Sequence, residues 1–225
     1  MTFPYSPVTS LGADCQVGWQ LRQHFREPIP SPFDWMVTPL HSLRASLLDR
    51  GSKSGRSVSI IDALPPYAEQ SVLCNDYGYS YHHDFPHNDS GLVQVTPEAL
   101  TACRSKMLHK WKSFFDLTSA CESLLFVRLG SFRTPPFAWV YLEEKEAIKV
   151  SEINALALLL EEIFPEKKIK LLQVLYETIS PLLEDELHSQ NVDIRFLPLP
   201  EKQTWQGDNE QWKKVFQDYS DYNTK

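Results

Sequence analysis

Chemistry in this chain would begin at Cys15. It follows a short stretch that favours a strand, Val8 to Leu11, then Gly12, and comes directly after Asp14, a residue type that caps helices. A strand, a turn and a helix start are therefore expected around it. At a helix start the first N–H groups and the helix dipole favour an anion. A thiol there ionises more easily, and the thiolate is the nucleophile. The same N–H groups suit the oxyanion that forms when a carbonyl is attacked. A small cysteine buried between strand and helix would give the same spacing, so spacing alone leaves both readings open.

A nucleophilic thiol needs a base. The segment Tyr79-Ser-Tyr-His-His-Asp-Phe-Pro-His87 holds three histidines and a carboxylate. His82 or His83 could take the thiol proton. In an extended segment neighbouring side chains face opposite ways, so only one of the two can point at Cys15, and Asp84 is a poor orienter of His83. The competing reading is a solvated, histidine-rich loop. A metal site on His83 and His87 is disfavoured, because Pro86 opposes a helical pair and no second ligand cluster is present.

Asp34, in Ser31-Pro-Phe-Asp-Trp35, could orient the imidazole as a third member. It could equally cap the next segment, with Phe33 and Trp35 as core anchors. Asp208, after the last expected strand, could reach a site beyond the carboxyl ends of the strands, or cap the last helix. Ser10 is a rival nucleophile near the end of the first strand. Arg128, ending an apolar run, could bind an anion or pair with a carboxylate.

Several classes are excluded or disfavoured. There is no P-loop, G-x-G-x-x-G, G-x-S-x-G or H-E-x-x-H. No cofactor is implied. The net charge of −7, from 22 Lys+Arg and 29 Asp+Glu, argues against nucleic acid. The longest apolar run, Ala155 to Leu160, is far short of the ~20 residues of a membrane span. No secretory signal is legible at the N-terminus, so the cytoplasm is expected. Four cysteines, Cys15, Cys74, Cys103 and Cys121, have no C-x-x-C spacing, which argues against zinc ribbons and disulfide scaffolds. The oligomeric state carries no sequence signal.

The elements that must position these residues follow from periodicity. Val17, Leu21 and Phe25 recur every four residues and predict a helix that Pro28, Pro30 and Pro32 stop. A second helix is expected over Pro39–Leu48, with Leu40, Leu43, Leu47 and Leu48 on one face. Asp49 to Ser59 reads as a surface loop, and Pro135-Pro136 as a break. Asn75 to Phe85 reads as a short strand or hairpin. Pro97 to Phe115 reads as a helix with Pro97 near its first position. Leu124 to Arg128, Ile169 to Tyr176 and Val192 to Leu197 are strands. Between them Ser151 would cap a helix built on Ile153, Leu156, Ala157, Leu160, Ile163 and Phe164, and Pro181 to Gln190 would form another. Glu210 to Tyr219 closes the chain as a helix. Strand–helix alternation implies a single α/β domain with a largely parallel sheet covered by helices.

Taken together, Ser10-Leu-Gly-Ala-Asp-Cys15, Leu21-Arg22, Pro32-Phe-Asp-Trp35, His83-Asp-Phe85, Leu125-Phe-Val-Arg128 and Trp205-Gln-Gly-Asp-Asn-Glu-Gln-Trp212 resemble the bacterial family described as papain-like cysteine peptidases. The resemblance runs from about Pro7 to Phe216. It implies a Cys–His site with Cys15 as nucleophile and His83 as general base. The substrate would be a peptide, amide or thioester. The same pair could serve an acyltransferase, and a non-catalytic glycan- or peptide-binding module is the alternative from another class. A papain-like label implies an antiparallel sheet, whereas the alternation of elements implies a parallel one.

Overall fold

The computed structural model describes residues 7–62, 70–130, 150–177, 189–198 and 204–219. Its centre is a sheet of four parallel strands, β1 (Val8–Ser10), β6 (Ser123–Leu129), β7 (Lys168–Tyr176) and β8 (Val192–Leu197), in that spatial order. The register pairs Ser10 with Val127, Leu129 with Val174 and Tyr176 with Leu197. The strands therefore finish close together at one edge. The parallel arrangement is the one that the alternation of elements predicts. β6 from Leu124 and β7 from Ile169 are buried along their lengths, as inner parallel strands covered on both faces must be. The free side of β1 is covered, since Ile29 N–H donates to Val8 O at 2.8 Å and Thr9 Oγ1 to Ile29 O at 3.0 Å.

A second, antiparallel sheet lies in the order β2 (Met36–Val37), β5 (Ser80–Tyr81), β4 (Ser71–Cys74), β3 (Val58–Ile61). The expected hairpin is real but displaced. Its first strand, β4, ends where the expected segment begins, and the chain after Tyr81 turns out of the sheet. Gly78, at φ +86°, closes the turn by donating to Cys74 O at 2.7 Å.

Helix α1 (Cys15–His24) is capped by Asp14, as predicted, but ends one residue short of the expected Phe25, which is already extended and donates its N–H to Leu21 O. Helix α2 (Leu40–Leu48) buries Leu40, Leu43 and Leu47, but Leu48 is exposed, a quarter turn off that face. Helix α3 (Pro97–Ser119) has Pro97 in its first turn and runs one turn beyond Phe115. Its Trp111, Phe114 and Phe115 pack with Phe33 and Phe164, and Phe164 stacks on Phe126 of β6. Helix α4 (Val150–Ile163) already contains Ser151 in its first turn, so that serine is not its cap. Helix α5 (Asn209–Val215) gives way to a 3-10 turn over Gln217–Tyr219. The break at Pro135-Pro136 lies outside the described residues. So does the helix expected over Pro181–Gln190, except its last two residues, which form a turn into β8.

The loop after α2 lies largely at the surface, as expected, with Arg50, Ser52, Lys53, Arg56 and Ser57 exposed, but it is anchored from beneath. Gly51, Ser54 and Gly55 are buried. Gly51 sits at φ +65° against Trp111, where an added Cβ would lie 2.0 Å from the indole nitrogen. Ser54 Oγ accepts from Trp111 Nε1 at 2.9 Å and lies 2.7 Å from Tyr79 Oη. The polar composition that suggests solvent also serves a buried hydrogen-bonded corner.

Candidate active site at the carboxyl edge of the parallel sheet

The turn from β1 into α1 is bent through two left-handed residues, Gly12 at φ +72° and Ala13 at φ +64°. For alanine this conformation costs roughly 1–2 kcal/mol, so surrounding contacts must impose it. They are extensive. Leu11 N–H donates to Val127 O (2.8 Å), Gly12 N–H to Ser10 Oγ (2.9 Å), Leu129 N–H to Gly12 O (3.2 Å) and Thr38 N–H to Ala13 O (2.8 Å). Arg128 is fully buried and donates Nη1 to Leu11 O and Nη2 to Thr38 O, both at 3.1 Å. In these bonds Arg128 is a strut that joins the bend to the chain before α2. Ser10, also fully buried, is a brace within the bend. Asp14 then accepts from Gln16 N–H at 2.8 Å and fixes the helix start, with Cys15 as the first helical residue, half-buried.

Successive turns of α1 carry Cys15, Trp19 and Arg22 on one face. Beside them, Gln16 and Gln20 fasten a distant segment. Gln20 Nε2 donates to Gln206 O at 2.6 Å and to Asn209 Oδ1 at 2.9 Å, and Gln16 Nε2 to Trp205 O at 3.4 Å. Tyr176, at the end of β7, donates to Gln16 Oε1 at 3.2 Å. Gly207, at φ +75°, permits the close approach, since a Cβ there would lie 2.5 Å from the Gln16 amide. Trp205 thereby stands edge-to-face with Trp19 (5.2 Å between centroids) and Trp35 (6.3 Å). The Arg22 guanidinium covers Trp35 at 5.3 Å. His83 meets Trp35 at 6.2 Å, 77° between ring planes, and His82 meets His83 at 4.6 Å.

Cys15 and His83 thus border one aromatic cluster, the first through its own helix face, the second through Trp35. His83 is exposed and His82 half-buried. Asp34 does not join the histidines. Among the described residues its carboxylate meets Arg22 Nη2 at 2.5 Å and Ser31 N–H at 3.1 Å. Arg22 is also held by Gly18 O at 2.6 Å, and Gly18 lacks the Cβ that would collide with Asp34. Burial pushes the Asp34 carboxyl above its ordinary range, while Arg22 pulls it down. The orienting role expected for Asp34 is thus replaced by that of a counter-ion to α1. Asp208 is exposed and caps α5, accepting from Glu210 and Gln211 N–H groups at 2.9 and 3.0 Å, so its helix-capping reading holds.

Asp84 pairs with α3 rather than with a histidine, in a stretch that is bent and not extended as alternation requires. Its side chain is 1% exposed and pairs with Lys106 Nζ of α3 at 2.6 Å. Lys110, one turn on, is also close to Asp84 and Asp34, although burial lowers its pKa. His87 lies apart, its Nε2 donating to Gln70 O at 2.9 Å. No group of three metal-ligating side chains occurs among the described residues, and no described helix is long and apolar enough to cross a membrane.

The chain matches no family model, no curated protein and no solved structure. What the arrangement can do rests on its geometry. Sequence reasoning passed over Trp19 and gave Trp205 no partner. The signal was present in Gln16 and Gln20, two amides four apart on the helix that also carries Cys15.

Cys74 and Cys103 are buried, and burial pushes Cys103 up to about 12, with Asp84 adding to the rise. Cys121 is half-buried, donates to Leu117 O at 3.1 Å, and is also pushed up by burial.

Proposed function

We propose that the protein is a thiol enzyme in which the Cys15 thiolate attacks the carbonyl of a peptide, amide or thioester. His83 accepts the proton from the thiol and returns it to the leaving group. Main-chain N–H groups at the start of α1 receive the oxyanion. The observation that carries this reading is the left-handed Gly12–Ala13 bend, where Arg128, Leu129 and Thr38 tie back the carbonyls of Leu11, Gly12 and Ala13 in turn while Cys15 opens α1. A packing cysteine has no need of a strained alanine beside it, whereas a nucleophile does need a fixed helix start. The motif resemblance to bacterial papain-like cysteine peptidases supports the same pair. An acyltransferase would use the same groups with an acceptor in place of water. All four cysteines are free thiols, which suits the cytoplasm as the proposed location.

The test is alkylation with iodoacetamide across pH, with each labelled cysteine identified by peptide mass mapping. Cys15 should react well below the ordinary thiol pKa of about 8.5. Cys121 and Cys103 should lag, and His83→Ala should slow Cys15 alone. Labelling of Cys15 no faster than Cys121 would remove the enzyme reading and leave a binding module.

A further inference from the structure

Trp205 is a large apolar side chain left 44% exposed, yet it is fixed. Gly207 N–H donates to Thr204 O at 3.2 Å, closing its turn. Gln20 then clamps the next carbonyl at 2.6 Å, and Trp19 packs against the indole. Fully burying such a ring would bring on the order of 2–3 kcal/mol, so a rigid exposed one stands out from an ordinary surface residue. The three indoles are inclined by 60–67°, edge against face, and do not close over one another.

The neighbouring chemistry narrows the ligand. A quaternary ammonium would meet the Arg22 guanidinium, which already covers Trp35. A long acyl chain wants an enclosed apolar lining, and this cluster is open and edged by charge. Thr204 and Asn209 are exposed and Gln206 half-exposed, so a hydroxyl and two amides lie on the segment that holds the indole. An indole face among neutral hydrogen-bonding groups matches a ring with one C–H face and a rim of hydroxyls. We propose that Thr204-Trp205-Gln206, with Trp19 and Trp35, forms a subsite for a pyranose ring of a glycan or glycoconjugate. This rests on and deepens the thiol reading only for a glycoconjugate, whose amide, peptide or thioester carbonyl Cys15 would attack while the sugar sits in the subsite; the binding itself needs no turnover.

The test uses the full chain and its indole N–H signals, six by the tryptophan count, in two-dimensional 1H–15N NMR. The probes are methyl glucoside, methyl galactoside and methyl N-acetylglucosaminide with their β-linked disaccharides. Adenosine and a proline-rich peptide serve as rivals. At least one pyranoside should saturably shift the Trp205 signal, identified by its loss in Trp205→Phe. Trp205→Ala should weaken binding about tenfold or more, and Gln20→Ala should weaken it with the indole still present. Circular dichroism checks that both variants fold. The proposal is overturned if no pyranoside saturates, if binding survives Trp205→Ala unchanged, or if only adenosine or the peptide shifts the signal. Pyranoside binding with a slow Cys15 would sink the enzyme reading alone. A fast Cys15 without pyranoside binding would sink this one alone.

Discussion

Arg22→Met should destabilise the protein by about 2–3 kcal/mol at neutral pH, and by much less in acid. The Asp34 side chain is 5% exposed and has Arg22 at 2.5 Å and the Ser31 N–H at 3.1 Å. Removing one partner of a fully buried pair costs roughly 3–5 kcal/mol, because a charge is left stranded. The Arg22 side chain is 36% exposed, and water screening trims that to about 2–3 kcal/mol. Methionine keeps an apolar stem over Trp35, so the charge is what changes. The pH dependence has a definite sign. Burial holds the folded carboxyl above its unfolded value. Its contribution is therefore present below the unfolded pKa of about 3.9 and is lost as pH rises through the raised folded value. Without Arg22 the folded value climbs further, so the gap between variant and parent should widen from about pH 4 to pH 7. Urea unfolding at several pH values, followed by tryptophan emission, measures the gap. Asp34→Asn added to Arg22→Met should recover much of the loss. A gap that is flat with pH, or below about 0.5 kcal/mol at neutral pH, refutes the argument.

Gly51→Ala should cost more than about 3 kcal/mol and lower Tm sharply, because its Cβ would fall within the Trp111 ring. Gly207→Ala meets the end of the Gln16 side chain and, at 3.0 Å, the indole nitrogen of buried Trp212, besides its left-handed strain, and should cost at least about 1–2 kcal/mol while altering Trp205 emission. Ser54→Ala leaves the buried Trp111 N–H without its acceptor and should cost about 1–3 kcal/mol in the same urea assay. Lys106→Met should be mild, since Lys110 also faces Asp84, and the double variant with Lys110→Met should lose more than the two single losses added, as a double-mutant cycle would record.

The sequence made the parallel sheet legible because β6 and β7 are continuous apolar runs and α4 repeats with helical spacing. It made the start of α1 legible because glycine, a capping aspartate and the first helical residue are adjacent. Strands of two residues, such as β2 and β5, are too short to show alternation. The Gly51 corner reads as a surface loop because its partner, Trp111, is 57 residues from Ser54. Asp34 illustrates the same difficulty at the site: a carboxylate in a dense proline and aromatic motif invites a catalytic role, and only packing reveals the arginine of α1 beside it. Trp35 and His83, likewise, are distant in sequence and adjacent in space.

The bend before Cys15 also has a history in time. Its strut, Arg128, lies 117 residues beyond the carbonyl it holds, and the clamp between Gln16 and the Trp205 turn spans 189. A growing chain presents Cys15 early but cannot fix its helix start until β6 has been made and has paired with β1. The aromatic wall waits longer still, until the Trp205 turn has been made. Loop closures of this length form late and fail first when a chain loosens. On the proposed role, Cys15 would gain its fixed helix start only once β1 and β6 have paired, so its alkylation rate should report on that long-range assembly.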